Sequence, residues 1–130
     1  MSESPLRVGT LPLNVVKAEL FKSLGHPARI RVLEVLAEGE HSVAQLLPII
    51  GLEPSHLSQQ LGVLRRTGLI SSRRSGTTVI YRLSHPLVGD LLAVARAVLR
   101  DVISDRVEAL TSLQTDVDDA DDTTTPDGRR

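Results

Sequence analysis

The chain has 130 residues, with 15 Lys and Arg against 16 Asp and Glu, a size that suits one domain. It has no Cys, which excludes disulfides, thiolate metal ligands and a cysteine nucleophile. Phe21 and Tyr81 are its only aromatic residues, so a core must come from Leu, Val, Ile and Ala. No apolar run approaches the ~18 residues that span a bilayer. The start, "MSESPLRVGTLPLN", lacks the basic head and apolar stretch of a signal peptide. A soluble, cytoplasmic protein is expected.

The net charge of −1 conceals an asymmetry. Residues 116–130 hold six Asp and two Arg, which leaves residues 1–115 with a balance of +3. That acidic tail has few apolar residues and is expected to be disordered. Within Arg65–Arg82 there are five Arg and no acid. Such a stretch suits phosphate, although charge alone does not separate this from a solvated strand pair.

Residues 1–12, punctuated by Pro5, Gly9 and Pro12, read as a flexible arm ahead of one domain over 13–115. Val16, Leu20, Phe21 and Leu24 then recur at helical spacing, and Gly25 stops that first helix. Pro27 opens a second helix, with His26 as its cap. Its buried side takes Ile30, Leu33 and either Leu36 or Ala37, and Gly39 ends it. Ser42 and Gln45 have the spacing of a capping box at the head of a third helix. Pro48 removes a hydrogen bond inside that helix, so it should kink or end early. Gly51 makes a turn and Pro54 opens a fourth helix. After Gly68 the period changes to strand, turn at Ser75-Gly76, strand, with Arg73, Arg74 and Thr77 near the tip.

From Pro86 to about Thr115 one long helix carries two apolar stripes. Val88, Leu91, Ala95, Val98 and Val102 form one; Leu92, Leu99, Ile103 and Leu110 form the other. One stripe can cover the domain's own core. The other needs a partner, most simply a second copy of the chain, unless both form a single broad buried face. Val16, Leu20, Val88, Leu91, Ala95, Val98, Val102 and Ile103 are the candidate dimer contacts.

On a helical wheel the fourth helix places Leu57, Leu61, Leu64 and Gly68 on one side and Ser55, Gln59, Gly62 and Arg66 opposite. His56 and Val63 stand beside that polar side, and Ser58, Gln60 and Arg65 flank it. Alone, this is what any amphipathic surface helix shows. In the order capped helix, Gly turn, Pro-started helix, basic hairpin, it matches a helix-turn-helix followed by a wing, whose second helix enters the major groove. Gln pairs with adenine through two hydrogen bonds, Ser reaches several bases, and His can donate to guanine. Arg65, Arg66, Arg73 and Arg74 suit phosphates.

"LFKSLGHPARIRVLEVLAEGEHSVAQL", "LSQQLGVLRRTGLI" and "RRSGTTVIYRL" resemble the ArsR/SmtB family of bacterial winged-helix repressors, over roughly Val15 to Leu99. The resemblance implies a mainly α fold with a small β-hairpin, dimerising through the first and last helices. It also implies recognition of an imperfect palindrome on double-stranded DNA, and release by a signal. The family's Cys-x-Cys metal site on the third helix falls here on Ser42 and Ala44, so that site is absent. Its Asp/His site on the last helix meets Asp90, Asp101, Asp105 and Glu108 but no His after His85. Carboxylates alone suit zinc or nickel poorly. His26, His41 (in a loop beside Glu40) and His85 (before Pro86, a cap for the last helix) read as structural. No metal and no cofactor is expected; a small molecule, a protein effector or no effector all remain open.

A second reading also stays open: an interaction module that pairs through its long last helix, with an incidental basic wing. Salt separates the two, because DNA binding weakens steeply as salt rises. An enzyme is not expected, since no G-x-S-x-G, Gly-rich phosphate loop or His-Glu zinc motif is present.

Overall fold

The computed structural model describes residues 11–123. Residues 1–10 of the expected arm and 124–130 of the expected tail lie outside them. The elements run α1 (Leu13–Ser23), α2 (Pro27–Glu38), β1 (His41–Ser42), α3 (Val43–Ile50), α4 (Pro54–Arg66), β2 (Ile70–Ser75), β3 (Thr78–Leu83) and α5 (Pro86–Thr123). The described residues divide into two compact units, one ending at Leu92 and the other starting at Ala93.

In the first unit α2 is the hub, packing against α3, α4 and β3. Its buried side is broader than the sequence period implies: Val32, Leu33, Val35 and Leu36 are all buried, Ile30 is half-buried and Ala37 is exposed. A helix enclosed from several directions buries more than one narrow stripe. Leu24, Leu46, Leu57, Leu61, Leu64, Leu69, Ile70 and Val88 complete the core.

The helix ends follow local chemistry. The His26 ring accepts from the Ala28 amide at 3.1 Å, capping α2 as expected. Ser42 and Gln45 form the reciprocal capping box of α3: Ser42 Oγ accepts from the Gln45 amide (3.2 Å), and Gln45 Oε1 accepts from the Ser42 amide (2.9 Å). With Pro48 inside it, α3 ends after 8 residues, and Gly51 takes the left-handed conformation at φ 79°. At the end of α4, the Leu69 amide donates to the Leu64 carbonyl (3.0 Å) and the Gly68 amide to Arg65 (3.1 Å). Gly68 sits at φ 82°. This is a Schellman ending, and Leu64 and Leu69, the pair whose apolar contact accompanies that motif, are both buried in the core cluster. Gly68, placed on the helix wheel by sequence spacing, lies beyond the helix.

Three features depart from expectation. His41 is not in a loop: with Ser42 it forms a two-residue strand on β3, paired His41↔Tyr81 and Ser42↔Ile80, in a sheet ordered β1-β3-β2. The hairpin turn is Gly76-Thr77 rather than Ser75-Gly76, since Ser75 pairs with Thr78. Gly76, at φ 65°, opens a two-residue loop in which Thr77 keeps negative φ, the sign pattern of a II′ hairpin. Finally, α5 continues eight residues beyond Thr115 to Thr123. No Gly or Pro interrupts the chain between Gly89 and Pro126, so no backbone stop lies within 116–123.

The two apolar stripes of α5 do not sort lengthwise. Val88 is 8% exposed in the core, and Leu91 and Leu92, one from each stripe, both pack against it. Within the second unit α5 is exposed over 93–117, including Val98, Leu99, Val102, Ile103 and Leu110. The change comes with position along the helix. Among the described residues no helix is long and apolar enough to cross a membrane.

Gly68→Ala should lower unfolding free energy by about 1–2 kcal/mol, because a Cβ is strained in the left-handed region. Urea denaturation with an unchanged m-value checks this. A loss below a few tenths of a kcal/mol would show that the ending of α4 relaxes without that glycine.

Candidate nucleic-acid interface

The site begins with which side of α4 is held inside. Leu57, Leu61 and Leu64 are at most 2% exposed, and α4 packs against α2, α3 and β2. Burying each such leucine stabilises by about 1.5–3 kcal/mol. Three of them on one side leave the helix no freedom to roll. Ser55, His56, Ser58, Gln59, Arg65 and Arg66 are consequently exposed together. Arg65 and Arg66 stand in the last turn, where cations complement the helix dipole. The linker from Ile50 to Pro54 is three residues, the tight turn a helix-turn-helix requires.

Two candidates on α4 lie against the chain itself. Gln60 is half-buried, and its Oε1 accepts from Arg29 Nη1 at 3.2 Å, so it ties α4 to the first turn of α2 rather than standing free with Gln59. Arg29 Nε is buried and, among the described residues, has no hydrogen-bond partner. Arg66 folds back along the helix: a Cβ built on Gly62 would lie 3.1 Å from Arg66 Nη1. Gly62 therefore leaves room for a guanidinium as well as a flat surface.

In the wing, β2 and β3 pair throughout, with Arg73↔Ile80 and Arg74↔Val79. Adjacent strand residues face opposite sides, so Arg73 and Arg74 point away from each other. Both are exposed, as is Thr77 at the tip. Arg73 is paired: its Nε donates to Glu40 Oε2 and its Nη2 to Glu40 Oε1, both at 3.2 Å. Among the described residues Arg74 has no such ion pair. The hydrogen-bonded Arg73 guanidinium, with a smaller contribution from Arg82, holds the Glu40 carboxyl below its ordinary pKa of 4.5. Since that pKa falls on folding, the pair's contribution to stability is present above pH 4.5 and lost as pH drops through the lowered value. At neutral pH the pair is intact.

Of the candidate dimer contacts, Val88 is buried in the chain's own core, and Leu91 and Leu20 pack against it. Val16 is half-buried, while Ala95, Val98, Val102 and Ile103 are exposed. On α1, Leu13 and Phe21 are 64% and 58% exposed; helical spacing sets Phe21 beside Val16, Leu20 and Leu24 and gives no sign of Leu13. Among the described residues no group of three or more His, Cys, Asp or Glu is gathered as for a metal ion.

Two helices joined by a tight turn, the second with its polar side outward, and a basic β-hairpin behind them define a winged helix-turn-helix domain. The family model for bacterial regulatory proteins of the arsR family matches residues 26–72, from the cap of α2 into β2. The HTH-type transcriptional regulator Rv0081 of Mycobacterium tuberculosis is 56% identical over 79% of this chain and 91% of its own. Its crystal structure superposes with a TM-score of 0.70 over 75% of this chain and 99% of that one. The biofilm growth-associated repressor of Agrobacterium fabrum is 37% identical over 74% of this chain and 87% of its own. A homodimeric winged helix-turn-helix DNA-binding domain of Mycobacterium bovis, 30% identical, covers 65% of this chain and 79% of that one with a TM-score of 0.60. The chain belongs to the ArsR family: it is a transcriptional regulator built on a winged helix-turn-helix DNA-binding domain. The family's members are regulators rather than enzymes.

Gly62→Ala should raise unfolding free energy by about 0.5–1 kcal/mol, since Ala is the better helix former and the group in its way is the far end of a flexible side chain. If urea denaturation shows a loss instead, Arg66 has a fixed position that the fold depends on.

Proposed function

We propose that the chain is a homodimeric repressor that reads an imperfect palindrome with α4 and is released by a signal other than a metal ion. The observation that carries this reading is the outward side of α4. Ser55, His56, Ser58 and Gln59 stand exposed along its first half, with no acid on the helix and two arginines at its end. These groups match base edges near the helix start and phosphates near its end. Arg74 and Thr77 at the wing suit the neighbouring backbone. Gln60, engaged by Arg29, supports the helix's position rather than reading a base.

The dimer rests on the exposed apolar residues of α5 from Val94 onward and on Leu13 and Phe21 of α1. It is supported by the homodimeric Mycobacterium bovis domain. Two copies related by a two-fold axis would read half-sites about 34–36 Å apart. Repression follows the Agrobacterium fabrum relative. The absence of Cys and of any His after His85 argues against a metal signal.

The test is selection of bound fragments from genomic DNA, followed by binding of Gln59→Ala to the selected operator and to scrambled DNA. Gln59→Ala should cost about 1–3 kcal/mol on the operator and relax preference at particular base pairs. An equal loss on both sequences would remove α4 from the groove. Val98→Glu should yield monomers by light scattering and abolish operator binding. A wild-type protein that is monomeric at micromolar concentration contradicts the dimer. Binding that ignores salt would favour a protein partner on α5 over DNA.

A further inference from the structure

The wing's two arginines are not equivalent. Arg74 stands without an ion pair among the described residues, whereas Arg73 reaches from β2, across the central strand β3, to Glu40, the residue between α2 and β1. The contact uses the Nε–Nη2 edge of the guanidinium and both carboxylate oxygens, each at 3.2 Å. A two-point contact of this kind is the form of surface ion pair that holds its geometry. Neither partner is sequestered: the side chains keep 52% and 42% of their exposure. Arg82 on β3 donates to Ser71 Oγ at 3.1 Å. A carboxylate from outside the wing is therefore bound to it, through the guanidinium edge that a phosphate's two free oxygens would take.

We propose that Glu40 competes with a DNA phosphate for Arg73 and thereby sets the affinity of the wing for DNA. This rests on the reading that the wing meets DNA. To reach a phosphate through that edge, Arg73 must leave Glu40. The arginine then neutralises one phosphate and releases condensed cation from the DNA. The abandoned carboxylate, now a bare anion beside the duplex, gathers cation in return. The exchange yields little net release, so the wild-type wing gains less from Arg73 than its charge implies. Removing the carboxylate's charge removes the competitor and leaves the arginine in place.

The experiment measures operator and scrambled-DNA affinity between 50 and 200 mM salt for the full chain, Glu40→Gln, Arg73→Ala and the double variant. Glu40→Gln should bind both DNAs more tightly than wild type, with a log–log salt slope steeper by about 0.9, one added phosphate contact. Its advantage should therefore shrink about threefold across that salt range. In the Arg73→Ala background the same change at Glu40 should bring no steepening. Glu40→Ala, which keeps no amide to hydrogen-bond Arg73, should behave as Glu40→Gln does. Thermal unfolding confirms that each variant is folded.

A Glu40→Gln slope equal to wild type, with salt-dependent binding intact, would overturn the competition. So would a steepening that survives Arg73→Ala, because it would then be general electrostatics. Arg74→Ala separates this from the parent reading. If it too leaves the slope unchanged, the wing does not meet DNA and both readings fall.

Discussion

The outward surface of α4 depends on a seam of three leucines. Leu57, Leu61 and Leu64 lock α4 against its neighbours, and everything that α4 shows to solvent follows from that lock. The polar side chains that face out carry little packing energy and cannot orient the helix themselves. A shift of one position along α4 would rotate the exposed set by about 100°, carrying Gln59 toward the flank. The fully buried hydrophobic residues that grip the seam are Leu, Val and Ile, which interdigitate without needing a polar partner.

The wing is placed by the same means. Leu64 and Leu69 are both core residues, and the Schellman ending between them turns the chain from α4 directly into β2. The wing thus starts from a buried anchor. β1 closes the other side of the sheet, and its Ser42 is also the cap of α3. One serine therefore joins the sheet to the first helix of the helix-turn-helix. This economy of parts brings Glu40 and Arg73 together: a short strand on one edge and the wing on the other leave both side chains within reach across β3.

Much of this was legible in the sequence, because it is written in local chemistry. Proline starts, the capping box, the leucine spacing of α4 and the glycine endings each act over a few residues, and each appears where that chemistry puts it. What escaped depends on tertiary neighbours. A two-residue strand has no period to detect. Val32 and Val35 are buried because α2 is enclosed by several elements, which no wheel of α2 alone reveals. Both α5 stripes look alike in sequence, yet Val88, Leu91 and Leu92 pack in the core while residues 93–117 are exposed. The Glu40–Arg73 pair joins residues 33 apart and has no signature along the chain. Gln60 looks like Gln59 until Arg29 is placed beside it.

The central claim is that the outward side of α4 meets the bases. Amide chemical-shift mapping by NMR, with selected operator DNA titrated into the labelled full chain, tests it most directly. The account predicts shifts concentrated at Ser55, His56, Ser58 and Gln59 that differ between operator and scrambled DNA. It also predicts shifts at Arg74 and Thr77 that are alike for both. An operator-specific response confined to the exposed part of α5, with α4 silent, would contradict it.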